Sequence, residues 1–209
     1  MPANNIVRLA IVVPVLVATL LAGTSLSATD VGGDLRSMKM LTPQVGWAAS
    51  NARLFWTYDG GNSWKDVTPK TGPSARIESV FFLDLLQGWV LLSNREQQLD
   101  VASTTNGGTS WSVTHLLPAA DPSPYELTGH GQLNFADSLH GWMILGIVSS
   151  ASAHLGVLLD TQDGGRTWGW SAGGSGSGNG RVGFVDSNNG WTISPEGDEL
   201  YVTHDGATT

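Results

Sequence analysis

The apolar residues of this chain come in short runs after residue 34, separated by clusters rich in glycine, aspartate, serine and threonine. Short apolar or alternating runs bounded by such turn-forming residues are typical of β-strands. Beyond the N-terminal segment, no stretch repeats its apolar residues at the period of an α-helix. The pattern therefore predicts an all-β fold of short antiparallel strands joined by tight turns.

Two turn motifs alternate strictly along the chain. The first is Thr-x-Asp/Asn-Gly-Gly-x-Ser/Thr-Trp, with copies at 57–64, 104–111 and 161–168 and a fourth at 203–209 that stops one position before the Trp. The second is Phe-x-Asp followed by Gly-Trp, found at 82–89, 135–142 and 184–191, with a divergent copy at 40–47. This alternation predicts a tandem array whose repeats span about 35–70, 76–117, 128–172 and 181–209.

Each repeat is expected to hold four strands, with one motif between strands 1 and 2 and the other between strands 3 and 4. The predicted strands are 35–41, 46–50, 54–57 and 63–68; 76–83, 88–92, 99–104 and 110–116; 132–135, 141–148, 155–161 and 167–171; and 181–185, 190–193 and 199–203. No fourth strand follows in the last repeat. The Trp residues of the two motifs are expected to be wedges in the core, because each has a large apolar area to bury.

The first motif has the composition of a turn held by its own side chains. Its glycines can adopt positive φ at little cost, and an Asp or Asn side chain can accept backbone N–H groups inside the turn. An Asn at position 106 keeps this bonding but lacks acid chemistry, which favours a turn-fixing role over catalysis or metal binding. The predicted structural residues are Asp59, Gly61, Trp64, Asn106, Gly108, Trp111, Asp163, Gly165, Trp168 and Asp205.

The first motif resembles the Asp-box, or bacterial neuraminidase repeat, of several β-propeller families. The two motifs together resemble more specifically the photosystem II stability and assembly factor family, over about residues 35–209. The resemblance implies a β-propeller of four-stranded antiparallel blades, here an incomplete arc of about four blades. A ring of six or seven blades needs roughly 270 to 315 residues. We therefore expect the chain to be part of a longer propeller, with an open gap between its first and last blades.

The N-terminal segment has the layout of a secretory signal peptide. Arg8 precedes an apolar run at 9–21, and a small, polar stretch follows to Ala28. We expect cleavage after Ser27 or Ala28, an exported domain from residue 29 onward, and residues 1–28 outside the fold. An uncleaved membrane anchor is the alternative, although a span needs about 20 apolar residues. Contact with a membrane is expected only in that case.

Charge and composition exclude several classes of partner. The chain carries 18 acidic and 10 basic residues, a net charge of -8, which argues against nucleic acid as a ligand. It has no Cys, so disulfides, thiol catalysis and Cys-ligated zinc are excluded. Its five His residues show no metal-ligand spacing, and no phosphate-binding loop is present. We expect no metal and no cofactor.

The long insertions of the repeats all fall at the end of the strands opposite the two motifs. They are the segments 70–75, 93–98, 117–127, 149–154 and 172–180. Variable loops on a rigid scaffold usually carry binding, so a protein or carbohydrate ligand is expected there. The candidate binding residues are Arg76, Arg95, Glu96, Tyr125, Glu126 and His154.

A catalytic function is the alternative, because sialidases also carry Asp-boxes. Arg76-Ile77-Glu78 begins like the Arg-Ile-Pro segment of sialidases but lacks the proline. Tyr125 and Glu126 are adjacent, which in a loop points their side chains apart. The sequence therefore favours a non-catalytic scaffold similar to assembly-factor propellers, with an extracellular glycoside hydrolase, sialidase-like or another Asp-box glycosidase, as the alternative.

Overall fold

The computed structural model describes residues 26–27, 31, 34–72, 74–95, 98–116, 126–150, 153–171, 181–193 and 199–208, with side chains described except at 126–130, 147–150 and 153–155. This part of the chain is all β and contains no helix. Its strands are β1 Leu26–Ser27, β2 Leu35–Met40, β3 Gly46–Ser50, β4 Leu54–Thr57, β5 Ser63–Asp66, β6 Arg76–Phe82, β7 Gly88–Ser93, β8 Leu99–Thr104, β9 Ser112–Leu116, β10 Glu126–Phe135, β11 Gly141–Ser150, β12 Ala153–Thr161, β13 Gly169–Trp170, β14 Val182–Phe184, β15 Gly190–Ile193 and β16 Leu200–Thr203.

The strands form four antiparallel sheets, in which the strands from β2 onward are neighbours in chain order. We name them blade 1 (β2–β5), blade 2 (β6–β9), blade 3 (β10–β13) and blade 4 (β14–β16). Strand β1 adds to the outer edge of blade 1, where Leu26 pairs with Trp64. A meander of this kind follows from the tight turns, since only antiparallel neighbours can be joined so briefly.

Both repeated motifs lie at one end of the blades and contact each other there. We name the segments 40–47, 82–89, 135–142 and 184–191 the Phe turns, and the segments 57–64, 104–111, 161–168 and 203–208 the Asp turns. Within each blade the N–H of the first motif glycine donates to a carbonyl of the Phe turn, over 2.8 to 2.9 Å, as between Gly107 and Leu86. The opposite end of the strands, which carries the insertions, is called the insertion end.

The Phe turns are shaped by an aspartate and a glycine. Oδ1 of Asp84 accepts the backbone N–H groups of Leu86 and Gln87, each over 2.7 Å, and Asp137 and Asp186 make the same pair of bonds in their turns. The glycine lies beneath the motif Phe ring. A Cβ on Gly88 would stand 2.3 Å from the Phe82 ring, so no larger residue fits that position.

The core lies between successive blades. Trp47 and Trp56 of blade 1 pack against Phe82 of blade 2, with the Trp56 and Phe82 ring centroids 4.6 Å apart. The Trp89 ring stacks on Phe135 of blade 3, and the Trp142 ring stacks on Phe184 of blade 4, at 3.7 and 3.5 Å. The first strands of blades 2 and 3, and those of blades 3 and 4, also approach each other. Sheets packed face to face in chain order are the arrangement of consecutive β-propeller blades, and the predicted all-β propeller arc is confirmed.

The observed strands agree with the predicted ones at most boundaries, and blade 3 holds the largest difference. Its β11 and β12 extend to Ser150 and Ala153, so most of the insertion predicted at 149–154 is paired strand. Strand β10 begins at Glu126, inside the insertion predicted at 117–127. The β-branched and apolar residues Ile147 and Val148 supply cross-strand partners on both sides, which extends the ladder past the predicted ends.

Blades 1 and 4 each have one face that does not pack against a neighbouring blade of the described chain. Strand β16 pairs with β15, and the described part of blade 4 has three strands. Val31 is buried against Ala48 and Phe55 on the outer face of blade 1, together with Leu26. Of the motif Trp residues, Trp191 departs from the expected core role, because 42% of its surface is exposed.

Candidate functional site

Each Asp turn is closed by a threonine and an aspartate that bond to each other. Oγ1 of Thr57 donates to Oδ1 of Asp59 over 2.9 Å and accepts the N–H of Gly61 over 2.9 Å. Asp59 in turn accepts the N–H and the hydroxyl of Ser63, over 2.8 and 2.6 Å. The carboxylate thus connects the start of the turn to the first residue of the following strand.

The same bonds recur in the third turn, and the second turn shows what an amide does in this place. Asp163 accepts the hydroxyl of Thr161 and both the N–H and the hydroxyl of Thr167. Asn106 accepts the N–H of Ser110 over 2.9 Å, but its Nδ2 donates to Oγ of Ser110 over 2.8 Å. The direction of one bond is reversed and the turn is kept, so the position needs a bonding side chain rather than an acid.

The fourth turn repeats the geometry with one change. Thr203 donates to Asp205 over 2.7 Å and accepts the N–H of residue 207 over 2.9 Å. Residue 207 is Ala where the other copies have Gly, and it holds a φ of 63°, a left-handed conformation that costs a non-glycine residue energy. The Thr–Asp pair therefore fixes this turn even where the sequence lacks the glycine that favours it.

Hydrogen bonding keeps the turn carboxylates ionised. The hydroxyl and N–H of Ser63 hold the pKa of Asp59 below its ordinary value. At Asp163, burial acts to raise the pKa, but hydrogen bonds from Thr167, Thr161 and the Arg166 N–H outweigh it and the pKa is lowered. A carboxyl that is stabilised as an anion in this way is a poor proton donor near neutral pH.

The predicted binding residues lie at the insertion end in so far as the structure describes them. Arg76 is the first residue of β6 and is exposed, and Arg95 is an exposed residue of the connection from β7 to β8. Glu126 and His154 lie on strands, where both pair with Val148 from opposite sides. Their expected place in loops is wrong, because the blade 3 ladder extends through both positions. Glu96 and Tyr125 lie outside the described residues.

A polar groove of about 290 Å³ opens at the insertion end of blade 2. It contains Arg95, and its wall is formed by small and polar residues from both sides: Gly72, Ser74, Ala75, Ser93, Asn94 and Asp100. Among the residues that the structure describes, no carboxylate forms an ion pair with the Arg95 guanidinium. The groove therefore presents a cation that is available to an anionic group of a ligand.

Two hydrogen-bonded pairs border this groove and were not singled out from the sequence. Nδ1 of His115 lies 2.6 Å from Oδ1 of Asp100 across the β8–β9 pair, and Ser93 donates to Glu78 over 2.6 Å. Both pairs join directly opposed or neighbouring strands at the same end of blade 2. The predicted strand register of that blade was the signal that could have brought them together.

A second recess, of about 490 Å³, lies at the motif end between blades 2 and 3. Polar groups that line it form hydrogen bonds of the turns. Asp163 closes its own Asp turn, and the Trp89 indole N–H donates to the Gly164 carbonyl over 2.8 Å. Arg166 is exposed at its rim. The recess is therefore built mainly from groups that hold the two blades together.

The described residues hold neither a metal-binding cluster nor a membrane-spanning helix. Within them, no group of three or more His, Asp or Glu side chains is arranged to hold a metal ion. The described segments likewise contain no helix of the length and apolar character that would cross a membrane.

Comparison with known proteins shows similarity at the level of structure. No family model matches the chain, and no curated protein matches it. A xyloglucanase of family GH74 from Xanthomonas campestris is similar with a TM-score of 0.52 and 18% identity, over 84% of this chain and 29% of that one. YCF48 bound to D1 peptide is similar with a TM-score of 0.49 and 23% identity, over 84% of this chain and 56% of that one. The chain thus spans about half or less of the solved chains it resembles, and the likeness to the xyloglucanase supports the propeller fold alone.

Proposed function

We propose that this chain is an exported Asp-box propeller scaffold that binds an acidic segment of a partner protein in the insertion-end groove of blade 2. It performs no chemistry of its own in this proposal. The observation that carries it is the Arg95 guanidinium, which stands in a polar groove without a carboxylate partner among the described residues. Arg76, at the start of the adjacent strand β6, adds a second exposed cation at the same end of the blade.

The bonding of the repeated carboxylates supports the non-catalytic part of the proposal. Asp59 and Asp163 are held as anions by the residues of their own turns. Asn106 replaces the acid in the second turn without changing the turn. A scaffold needs only the geometry of the turn, whereas a catalytic repeat would also need the acid.

A glycoside hydrolase is the second candidate, and Asp160 is the observation that favours it. Burial raises the pKa of this carboxyl, as a general acid requires. Asp160 lies in β12, opposite Trp142 and Gly169, on the blade 3 face that meets blade 4. A hydrolase also needs a second carboxylate across the scissile bond, so Asp160 alone supports this candidate weakly.

The binding proposal is tested with labelled peptides. Fluorescence anisotropy should show that the protein binds a pool of labelled Asp- and Glu-rich peptides. It should show no binding of a matched pool of Asn- and Gln-rich peptides. Arg95→Gln should weaken binding of the acidic pool at least about tenfold, since a hydrogen bond to a charged group contributes roughly 1.5–3 kcal/mol. Arg166→Gln, which removes an exposed cation at the motif end, is the matched control and should leave binding unchanged.

Equal weakening by both Arg variants would show that net charge rather than the groove attracts the peptides, and would refute the proposed site. Tighter binding of acidic oligosaccharides than of acidic peptides would assign the groove to a carbohydrate partner instead. Release of sugar from xyloglucan or an aryl glycoside, lost in Asp160→Asn, would favour the hydrolase.

The export part of the proposal rests on the N-terminal segment and has a direct test. N-terminal sequencing of the secreted protein should give a start at Ala28 or Thr29. That cleavage removes β1, whose Leu26 pairs with Trp64 and packs on the outer face of blade 1. A mature protein that still begins at Met1 would indicate the uncleaved anchor.

A further inference from the structure

The junction between blades 2 and 3 contains the motif-end recess of about 490 Å³. The turn groups that hold the two blades together form its blade 3 side, whereas β8, β9 and the turn between them form its blade 2 side. Hydroxyl side chains are frequent in the lining, with Ser103, Thr105, Ser110, Ser112 and Thr114 from blade 2 and Ser138 from blade 3. Faces of sheets that pack together are ordinarily apolar, so this composition needs a reason.

Most of these hydroxyl groups are not used by the fold. Those that make no hydrogen bond with another described residue belong to Ser103, Thr105, Ser112, Thr114 and Ser138. The Gln87 amide and the Arg166 guanidinium of the same lining likewise bond to no other described side chain. A serine or threonine hydroxyl can both donate and accept. The recess therefore offers several donors and acceptors to a ligand.

The corresponding position of blade 1 is filled by a large aromatic side chain. Ser103 precedes the threonine of its Asp turn and pairs with Trp89, and the residue in that place in blade 1 is Trp56, which pairs with Trp47. Trp56 is 1% exposed, and its ring centroid lies 4.6 Å from that of Phe82 in the next blade. Serine at position 103 therefore leaves open the volume that an indole fills at the first junction.

The outer strand of blade 2 shows a similar exchange. Thr114 lies three residues after the Trp of its Asp turn, and the residue at that distance in blade 1 is Val67, which is buried. At the first junction the Trp111 indole N–H donates to the Val67 carbonyl over 2.8 Å and so joins the outer parts of two blades. The equivalent Trp168 donates to Gly165 of its own turn instead. Blades 2 and 3 are therefore not joined by this bond at their outer margin.

The inner end of the recess is held firmly. The Trp89 ring stacks on Phe135, and its indole N–H donates to the Gly164 carbonyl. At the first junction the equivalent Nε1 of Trp47 is buried and finds no acceptor in the described chain. Blades 2 and 3 are thus bonded at the base of the recess and separated at its margin, which makes it a preformed cleft. Its volume is within the range of about 300–1,000 Å³ that is usual for small-ligand sites.

The lining favours one class of ligand. Arg166 and Asp163 have opposite charges, and the Asp163 carboxylate already accepts the Thr167 hydroxyl, so the lining selects neither a strong anion nor a cation. The hydroxyl groups of a sugar donate and accept at neighbouring positions, as the side chains of the lining do. Leu139 is 48% exposed in the same lining and can cover the C–H face of a sugar ring.

We propose that the recess between blades 2 and 3 binds a short segment of a neutral saccharide. Ser103, Ser112 and Thr114 exchange hydrogen bonds with the sugar hydroxyl groups, while Gln87 and Arg166 donate to the sugar oxygens. The site binds without cleaving a bond. It shares no lining residue with the Arg95 groove, which lies at the opposite end of blade 2, so this inference does not depend on the proposed peptide ligand.

The first test is binding of cellotetraose, maltotetraose, mannotetraose and xylotetraose to the full chain, detected by saturation-transfer NMR and measured by calorimetry. We expect at least one of them to bind. Ser103→Ala combined with Thr114→Val should weaken that binding at least about fivefold, because two hydrogen bonds to the sugar are lost. The melting temperature should not fall, since neither hydroxyl bonds within the described fold. Thr109→Val is the matched control, because Thr109 is exposed in the same blade outside the recess and should leave binding unchanged.

A change that fills the recess tests its location in a second way. Ser103→Trp places in blade 2 the side chain that Trp56 supplies in blade 1, and it should remove detectable binding while the strand signal in circular dichroism is kept. Arg95→Gln should bind the sugar as the wild type does, which separates this site from the peptide groove.

Three results would overturn the proposal. The first is that none of the four tetrasaccharides binds. The second is an unchanged affinity of the Ser103→Ala and Thr114→Val double variant, whatever Ser103→Trp does. The third is displacement of the sugar by an uncharged Gly- and Ser-rich peptide at a similar concentration, which would assign the hydroxyl groups to a polypeptide ligand.

Discussion

At the residue scale, the turns of this protein depend on side chains that replace backbone partners. Thr104 shows this most clearly, because it is 3% exposed and its Oγ1 accepts the N–H groups of Gly108 and Asn106 while donating to Asn106. Both glycines of the turn have positive φ, and while the Gly107 N–H donates to the Leu86 carbonyl, the Gly108 N–H donates to the Thr104 hydroxyl. A hydroxyl at this position therefore satisfies the buried Gly108 N–H, which would otherwise lack a partner.

Thr104→Val should lower the free energy of unfolding by about 1–3 kcal/mol. The change keeps the shape of the side chain but leaves the buried Gly108 N–H without its acceptor. Urea denaturation followed by Trp fluorescence measures the effect. Thr105→Val is the control, because Thr105 is exposed in the same turn and should change stability by less than about 0.5 kcal/mol. Equal effects of the two changes would contradict the role given to the Thr104 hydroxyl.

The acid function of Asp163 should be dispensable. Asp163→Asn should retain stability, because an amide can bond to Thr167 as Asn106 bonds to Ser110. Asp163→Ala should lower the unfolding free energy by roughly 1 kcal/mol through loss of those bonds, and Asp59→Ala should act in the same direction. Thermal unfolding and peptide binding are measured together. Lost binding with an unchanged melting temperature would reassign these residues to the site.

At the element scale, the decisive contact is a ring lying over a glycine. In blades 2, 3 and 4 the motif Phe at the end of the first strand lies over the glycine that opens the second strand, and a Cβ there would stand 2.3 to 2.4 Å from ring atoms. The glycine lets the ring lie flat on the strand and meet the Trp of the preceding blade. Strand pairing and blade packing are thus set by the same two residues.

Gly141→Ala should destabilise the protein by about 1–3 kcal/mol, because the added methyl group forces the Phe135 ring out of its place against Trp89. The loss should be visible as a change in near-UV circular dichroism as well as in the denaturation midpoint. Gly169→Ala in β13 is the control, since a Cβ there meets nothing within 4 Å. If Gly141→Ala were as stable as that control, the packing role of the glycine would be wrong.

At the scale of the whole molecule, ionised aspartates in turns and strands couple stability to acid. The pKa is held low at Asp59, Asp66, Asp137, Asp163 and Asp186 by hydrogen bonds that outweigh burial where burial opposes them. Folding therefore gains stability from these groups above the unfolded pKa, near 3.9, and loses it as the pH falls through their lower folded values. Asp160, whose pKa burial raises, acts in the opposite direction.

The denaturation midpoint should therefore fall steeply below about pH 4 and change little between pH 5 and 7. Denaturant titrations at pH 6, 4 and 3 measure how the denaturation midpoint depends on pH. Asp163→Asn should flatten part of the fall at low pH, because the amide does not titrate. A midpoint that stayed constant down to pH 3 would contradict the ionised state assigned to the turn carboxylates.

The sequence by itself determined the repeats, the turns and most strand ends. Turn chemistry is local: the glycines, the Thr–Asp pair and the Phe–Gly pair act within eight residues of one another, so their spacing predicts β3, β4, β8 and β15 to the residue. The long insertions have no such local code. For that reason the extended β11–β12 hairpin, with His154 on a strand, was wrongly expected to be a loop.

The tertiary structure alone decided which groups meet between blades. The stacking of Trp89 on Phe135 and the indole bond to Gly164 depend on how neighbouring sheets are placed, and contacts across about fifty residues or more leave no pattern at short range. The Arg95 groove spans only residues 72–100, but it depends on how the connection before β6 folds against the connection after β7. The exposure of Trp191 and Met40 could not be predicted from the sequence for the same reason. The motif predicts a core position for Trp191, but burial of either side chain depends on whether a second sheet covers it, and that is a property of the packed molecule.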